Sequence, residues 1–200
     1  MSELERWDRR FSAPGYLFGK EPNAFLAAQA HKLRGLKSAL SVADGEGRNG
    51  VWLAEQGLDV LTIDFSSVAL AKARALAQER GVPLRTEVAD LTNWRWPQNT
   101  YDVIAAIFIH FAGAERDALF ANFKAALKPS GLLLLQAYRP EQLKYKTGGP
   151  PDTERMYTRA LLKTAFGDMA EFDIREHDDV INEGSGHLGM SALIDLVARK

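Results

Sequence analysis

Short apolar runs alternate with longer segments of helical period along this 200-residue chain, which is the punctuation of βαβ units. Ala39–Ala43 reads as a first strand, Asn49–Gln56 as a helix closed by Gly57, and Asp59–Ile63 as a second strand. Ser66 is placed to cap an alanine-rich helix, Val68–Arg80, which Gly81 and Pro83 terminate. Leu84–Val88 reads as a third strand and Tyr101–Ile109 as a fourth. The fourth is nearly continuous in apolar residues, as expected where both faces of a sheet are covered. Ala114–Leu127 has helical period, and Pro129-Ser130-Gly131 turns the chain into a fifth strand, Leu132–Ala137.

The rhythm then changes. Glu141–Asp152 is a turn-rich loop containing Lys144-Tyr145-Lys146 and Gly148-Gly149-Pro150-Pro151, of the kind that covers active sites. After a helix over Thr158–Phe166, two strand-like segments, Glu171–Ile181 and Leu188–Ala198, flank Asn182-Glu183-Gly184-Ser185-Gly186 as a closing hairpin. The pattern predicts a single α/β domain over residues 1–200. Its sheet is doubly wound, mostly parallel and seven-stranded, with an antiparallel C-terminal strand. Residues 1–35 form a helical cap and 140–155 a lid loop.

Composition narrows the partners. The 25 Lys and Arg residues balance 26 Asp and Glu, so no overall basic field draws the chain to nucleic acid or to an anionic membrane. No cysteine is present, which removes disulfides, thiolate metal sites and cysteine nucleophiles. The start, Met1-Ser2-Glu3-Leu4-Glu5-Arg6-Trp7, is charged and amphipathic rather than a signal peptide or a membrane span. A soluble cytoplasmic protein acting on a small molecule, with no nucleic acid and no membrane, is the expectation. Nothing in the sequence fixes its oligomeric state.

Ligands of a doubly wound sheet collect at the carboxyl ends of its strands, where the strand order reverses. Four such ends carry chemistry. Gly45-x-Gly47-x-x-Gly50 has the spacing of a nucleotide-binding turn, opening the backbone to a ligand before a helix N-terminus. Asp64, just past the second strand, is suited to accept hydrogen bonds from two ribose hydroxyls, or to cap the next helix beside Ser66. Asp90, after the third, is suited to an exocyclic adenine amine, or to an ordinary turn. Ile109-His110-Phe111 places an apolar wall and an imidazole after the fourth.

Together, Ala43-Asp44-Gly45-Glu46-Gly47-Arg48-Asn49, Asp64, Ala89-Asp90-Leu91, Tyr101-Asp102-Val103-Ile104 and Leu127-Lys128-Pro129-Ser130-Gly131 resemble the class I S-adenosylmethionine-dependent methyltransferases. Tyr16-Leu17-Phe18-Gly19-Lys20-Glu21-Pro22-Asn23 and the Gly-Arg-Asn turn look like the tellurite-resistance and thiopurine-type members. The resemblance implies a Rossmann-like methyltransferase fold with S-adenosylmethionine as cofactor and a chalcogen oxyanion or thiol as acceptor. It also implies that Gly45 and Gly47 line the methionine part, Asp64 holds the ribose and Asp90 meets the adenine, with Phe65, Leu91 and Ile107 in the same cofactor-binding set. Tyr16 is placed to close over the cofactor and Arg48 to pair with its carboxylate. Where the family commonly has an acidic residue and an initial glycine, this chain has Ser41 and Ala43; Asp44 is positioned to replace the missing carboxylate.

The candidate reacting groups are His110, His187, Tyr138 and Arg139, as base, substrate contacts or anion holder. His110, His187 and Arg139 have plainer readings as a packed histidine, a turn histidine and a surface ion pair, and Tyr16 as a core or hinge aromatic. His177-Asp178-Asp179 is set aside as a metal site because adjacent strand residues alternate faces. Trp94 and Trp96 are expected to pack over the sheet edge, and Ser66-Ser67 lacks the glycine-flanked elbow of a serine hydrolase. The rival functions are a non-catalytic S-adenosylmethionine-binding module, a nicotinamide oxidoreductase, and a methyltransferase acting on nucleic acid or protein.

Overall fold

The computed structural model describes all 200 residues. Seven strands form one sheet: β1 (Ser38–Val42), β2 (Asp59–Asp64), β3 (Arg85–Val88), β4 (Tyr101–Ile107), β5 (Leu127–Tyr138), β6 (Glu171–Glu183) and β7 (His187–Arg199), in the order β3-β2-β1-β4-β5-β7-β6. The first five pair in parallel, whereas β7 runs antiparallel to both β5 and β6. The order reverses between β1 and β4, as the crossover pattern demanded. Six helices surround the sheet: α1 (Glu3–Phe11), α2 (Ala24–Ala28), α3 (Arg48–Glu55), α4 (Ser67–Arg80), α5 (Gly113–Ala126) and α6 (Arg159–Phe166).

The continuous apolar run of β5 serves two layers at once. Leu133 and Leu135 join the larger core with Phe120, Phe123, Leu162 and Phe166, while Leu132 and Leu134 face the opposite way onto Leu26 and Leu33. All four leucines are fully buried, each contributing on the order of 1.5–3 kcal/mol of transfer free energy. Before them, the register with β4 slips between Tyr101 and Val103, where Lys128 to Gly131 turn as the sequence indicates. Ser66 accepts the Ala69 N–H, and Gly81 ends the same helix in the left-handed region at φ 68°.

The connection from β3 to β4 contains no helix. Trp94 and Trp96 fill that place, edge-to-face at 4.8 Å, and Trp96 packs on Phe123 at 5.6 Å. This is the packing role expected of them. At the other end, α1 is closed by a capping box between Ser2 and Glu5, and its Trp7 and Phe11 stack at 5.3 Å. Helix α1 is laid across the carboxyl ends of β1 and β2, where the Ser66 hydroxyl donates to Asp8. No helix is long and apolar enough to cross a membrane.

Candidate functional site

The glycine turn after β1 has left-handed backbone at Ala43 (φ 47°), Gly45 (φ 57°) and Gly47 (φ 87°). Ala43 thus holds a left-handed conformation at the strain cost of a β-carbon. Gly47 serves packing: a β-carbon there would lie 2.4 Å from that of Ala73, so its absence lets α3 begin against α4. Gly45 donates its N–H to Asp64 Oδ2 at 2.8 Å, and Ser66 donates to Asp64 Oδ1 at 2.9 Å. Burial raises the Asp64 carboxyl, those two N–H groups oppose it, and neighbouring Asp8 adds to the rise. Asp90 Oδ1 accepts from the Thr92 N–H and hydroxyl at 2.9 and 2.8 Å, leaving its exposed Oδ2 without a protein donor.

These strand ends fit S-adenosylmethionine. They bring together a bare glycine backbone, a carboxylate with lone pairs left after two N–H bonds, half-buried Phe65, and a second carboxylate with a free oxygen. The cover over them is Phe11, whose ring stands 3.2 Å from where a Gly45 β-carbon would be. Asp64 is only 4 % exposed, so access of a ribose to it requires α1 to shift. Tyr16 is not that cover: its hydroxyl donates to the Lys72 carbonyl at 3.2 Å and its ring packs on Val51, Leu76 and Ala77. Ile107 and Leu91 are buried, Ile107 in the core cluster of Leu26 and Val103, Leu91 in that of Ile63. The next residue, Phe108 at φ 54°, ends β4 and sends its ring into the site.

Asp44 ties the turn to α3. Its Oδ2 accepts the Gly50 N–H at 2.8 Å, while Oδ1 is buried without a partner. Burial pushes this carboxyl up to about 6, against the Gly50 bond and the nearby Ser41, Asn49 and Arg48.

Arg48 turns away from the role the sequence suggested. Its Nη2 donates to Glu183 Oε2 at 2.6 Å, and both side chains are nearly buried. Glu183 Oε1 accepts from Asn23 Nδ2 at 2.9 Å, and the same Asn23 amide donates to Gln136 Oε1 at 2.7 Å. Asn49 Oδ1 takes the Asn23 backbone N–H at 3.0 Å. The Gly-Arg-Asn turn and the Glu21-Pro22-Asn23 segment are therefore two ends of one buried network. Burial alone would raise Glu183; His187 and the Arg48 guanidinium override it and hold the carboxyl at about 2.

The tip of the β6–β7 hairpin completes this corner. Gly186 donates to the Leu17 carbonyl at 2.9 Å, fixing the tip beneath the N-terminal segment. His187 lies with ring centroids 4.3 Å from both Phe18 and Phe108, and 5.9 Å from Tyr138. His110 stacks on Tyr138 at 5.5 Å and sits 5.4 Å from Tyr157. The structure thus brings His110, Tyr138 and His187 together. Their buried His110 Nε2, Tyr138 Oη and His187 Nδ1, like Arg48 Nη1, have no hydrogen-bond partner. His110 Nδ1 faces the Arg155 carbonyl at 2.9 Å, so that nitrogen carries the proton and Nε2 presents a lone pair. Burial, first, and His187 hold His110 down at about 4, and burial likewise lowers His187, so both imidazoles are neutral at pH 7.

Arg139 is not part of this cluster. It pairs with Asp178 and with Glu141, which neutralise it at the outer side of the sheet. The anticipated lid is fastened as well: Tyr145 donates to Asp178 at 2.7 Å, Thr147 to the Met190 carbonyl at 2.6 Å, and fully buried Gln142 accepts the Ala192 N–H at 2.8 Å. Gly149 of the same segment lies against the Tyr138 ring. His177 Nε2 pairs with Asp195 at 2.9 Å instead of facing its neighbours Asp178 and Asp179. An open groove of about 730 Å3 between α2 and β6–β7 contains neither Asp64 nor Asp90. Gln136, Asp195 and Glu183 are among the residues that line it.

Phe11, Phe18, Asn23, Phe108 and Glu183 escape sequence reading. Only Asn23, in a motif-bearing segment, and Glu183, four residues before His187, carried a usable signal.

Residues 39–131 match the family model described as a methyltransferase domain. A glycine/sarcosine N-methyltransferase of Halorhodospira halochloris is 36% identical over 141 residues, covering 66% of this chain and 48% of the relative. The chain thus spans about half the length of that relative. Among solved structures, one described under the conversion of a disulfide bond into a thioacetal group during echinomycin biosynthesis superposes with a TM-score of 0.76. It is 19% identical and covers 100% of this chain and 92% of that one. TehB of Haemophilus influenzae gives 0.69 at 17% identity, over 98% of this chain and 66% of that one, a likeness of fold. The family match over residues 39–131 thus falls on the part of the sheet that holds the glycine turn, Asp64 and Asp90, and the whole chain has the fold of these solved structures.

Proposed function

We propose that this protein transfers a methyl group from S-adenosylmethionine to the nitrogen of a small-molecule amine. The cofactor supplies an electrophilic methyl on a sulfonium sulfur, which keeps the bonding electrons when the methyl leaves. The protein's task is to aim a lone pair at that carbon and exclude water. The observation that carries the reading is the fixed tautomer of His110. Its bare Nε2 accepts an N–H of the neutral amine and so orients the nitrogen lone pair, and the product leaves as the methylated ammonium. Because burial holds the ring at about 4, it acts as an orienting acceptor more than as a proton store.

The relative named for glycine and sarcosine methylation supports nitrogen as the atom methylated. A thiolate, one of the acceptors implied by the tellurite-type resemblance, has no proton to offer His110 Nε2. The test is release of S-adenosylhomocysteine over a panel of small primary and secondary amines, thiols, selenite and tellurite. Turnover confined to amines supports the proposal; turnover confined to thiols or oxyanions overturns it.

A further inference from the structure

A line of buried hydrogen bonds runs from the middle of β7 to the tip of the β6–β7 hairpin. Asp195 lies opposite Gln136 in the β5–β7 ladder; its Oδ1 accepts from Gln136 Nε2 at 2.7 Å and its Oδ2 from His177 Nε2 at 2.9 Å. Gln136 Oε1 accepts from Asn23 Nδ2, which also donates to Glu183 Oε1, while Asn23 Oδ1 accepts the Leu26 N–H that opens α2. Glu183 then faces His187 directly in the β6–β7 ladder. Asn23, Gln136 and Asp195 are 1 %, 3 % and 7 % exposed, so bulk water does not stand in for a missing partner.

Each amide in this line can turn only one way. Leu26 claims the Asn23 oxygen, so the two Asn23 N–H bonds go to Glu183 and Gln136. Gln136 must then offer Asn23 its oxygen and aim its own NH2 the other way, at a group that only accepts. An ionised carboxylate is such a group. Resting on the reading of the Phe108–Tyr138–His187 corner as the acceptor site, we infer that Asp195 is a positioning residue for acceptor binding, holding the Gln136 and Asn23 amides in register and, through Glu183, the hairpin tip with His187. Gln136 reaches the same corner by its backbone, since its carbonyl accepts the Phe108 N–H at 2.8 Å. Asp64 and Asp90 bond to Gly45, Ser66 and Thr92 instead, so the effect falls on the acceptor end of the site and spares the cofactor end.

The test compares two substitutions of similar shape. Asp195→Leu removes the acceptor and strands the Gln136 NH2. Asp195→Asn keeps an oxygen for Gln136 and turns its amide to His177, whose ring accepts in its other tautomer. Amide hydrogen exchange at Gly186, which donates to the Leu17 carbonyl at 2.9 Å, reads the hairpin tip. In Asp195→Leu that exchange should quicken at least about tenfold relative to the core Leu134 amide, and acceptor KM should rise about tenfold while S-adenosylhomocysteine affinity stays within about twofold. Asp195→Asn should stay near wild type in all three. Gln136→Met cuts the same line, so it should match Asp195→Leu and add little to it, and it carries the test should Asp195→Leu fail to fold. KM is read with the fastest acceptor of the amine, thiol and oxyanion panel.

Asp195→Asn as impaired as Asp195→Leu, exchange quickened equally at Gly186 and Leu134, or an unchanged KM overturns the positioning role. Turnover confined to thiols or oxyanions fails the amine reading, and the same KM comparison on that acceptor still decides Asp195. Absence of all turnover strikes the methyltransfer reading, and the Gly186 exchange rates then decide whether the line holds the tip.

Discussion

The Arg48 guanidinium meets the Glu183 carboxylate at 2.6 Å across 135 residues of chain, joining the first glycine turn to the last hairpin. Both partners are almost out of water, so removing one strands the other's charge. Glu183→Gln should destabilise by about 3–5 kcal/mol in urea unfolding, and Arg48→Met/Glu183→Leu should recover most of it. Since the folded Glu183 carboxyl is depressed from 4.5 to about 2, its contribution is complete above pH 4.5 and is lost as pH falls toward 2. Acid unfolding of the pair variant should lack that part of the transition.

His110 should leave no inflection near pH 6.5 in the rate. Its folded value of about 4 keeps it neutral through the physiological range, so kcat/KM between pH 5 and 7 should follow the acceptor's amine. His110→Gln should lower kcat by about 10² or more while S-adenosylhomocysteine affinity holds. An inflection near 6.5 that the variant abolishes would assign His110 a proton-storing role instead. In stability the sign is the same as for Glu183: unfolded histidine takes up a proton below its usual 6.5, so stability falls as pH drops from there toward 4.

Asp44 shows the opposite sign. Its folded carboxyl is raised to about 6, so its stabilising share is full below the usual 3.8 and is lost as pH rises through 6. Asp44→Asn retains an oxygen for the Gly50 N–H and removes the buried ionisation, and should melt no lower than wild type at pH 7.5. Asp44→Ala strands that N–H and should cost about 1–3 kcal/mol. If both variants bind S-adenosylhomocysteine like wild type, Asp44 does not substitute for the absent acid at Ser41.

Gly47→Ala should cost about 1–3 kcal/mol by overpacking, with further strain from its left-handed backbone. Ala73→Gly in the same chain should return the packing share but not the backbone share, measured by denaturant midpoints. Full recovery would mean that the helix contact alone explains this glycine.

The sheet was legible because its physics is local. The apolar run Tyr101–Ile109 announces a strand covered on both faces, Ser66 and Gly81 bracket α4, and the glycine turn with Asp64 and Asp90 marks the switch point. The acceptor corner was only half legible. His110, Tyr138 and His187 stand at strand ends and could be nominated. Their partner Glu183 and the covers Phe11 and Phe18 come from segments far apart in sequence, and no local pattern reports which of them meet. The partners of Arg139 and Tyr16 were hidden for the same reason. Asp178 and Glu141 claim the first and the α3–α4 surface claims the second, both through long-range contacts. Lys144–Lys146 looked like a lid by composition, and Gln142 and Thr147 pin that loop to β7.

The most direct measurement is calorimetric titration of the purified protein with S-adenosylhomocysteine, with NADH in parallel and Asp64→Ala as the site control, its fold checked by circular dichroism. The account predicts saturable one-to-one binding of S-adenosylhomocysteine, at least tenfold weaker in Asp64→Ala, and no binding of NADH, each tenfold being about 1.4 kcal/mol. Binding of NADH without S-adenosylhomocysteine, or S-adenosylhomocysteine affinity unchanged by loss of the Asp64 carboxylate, would contradict it.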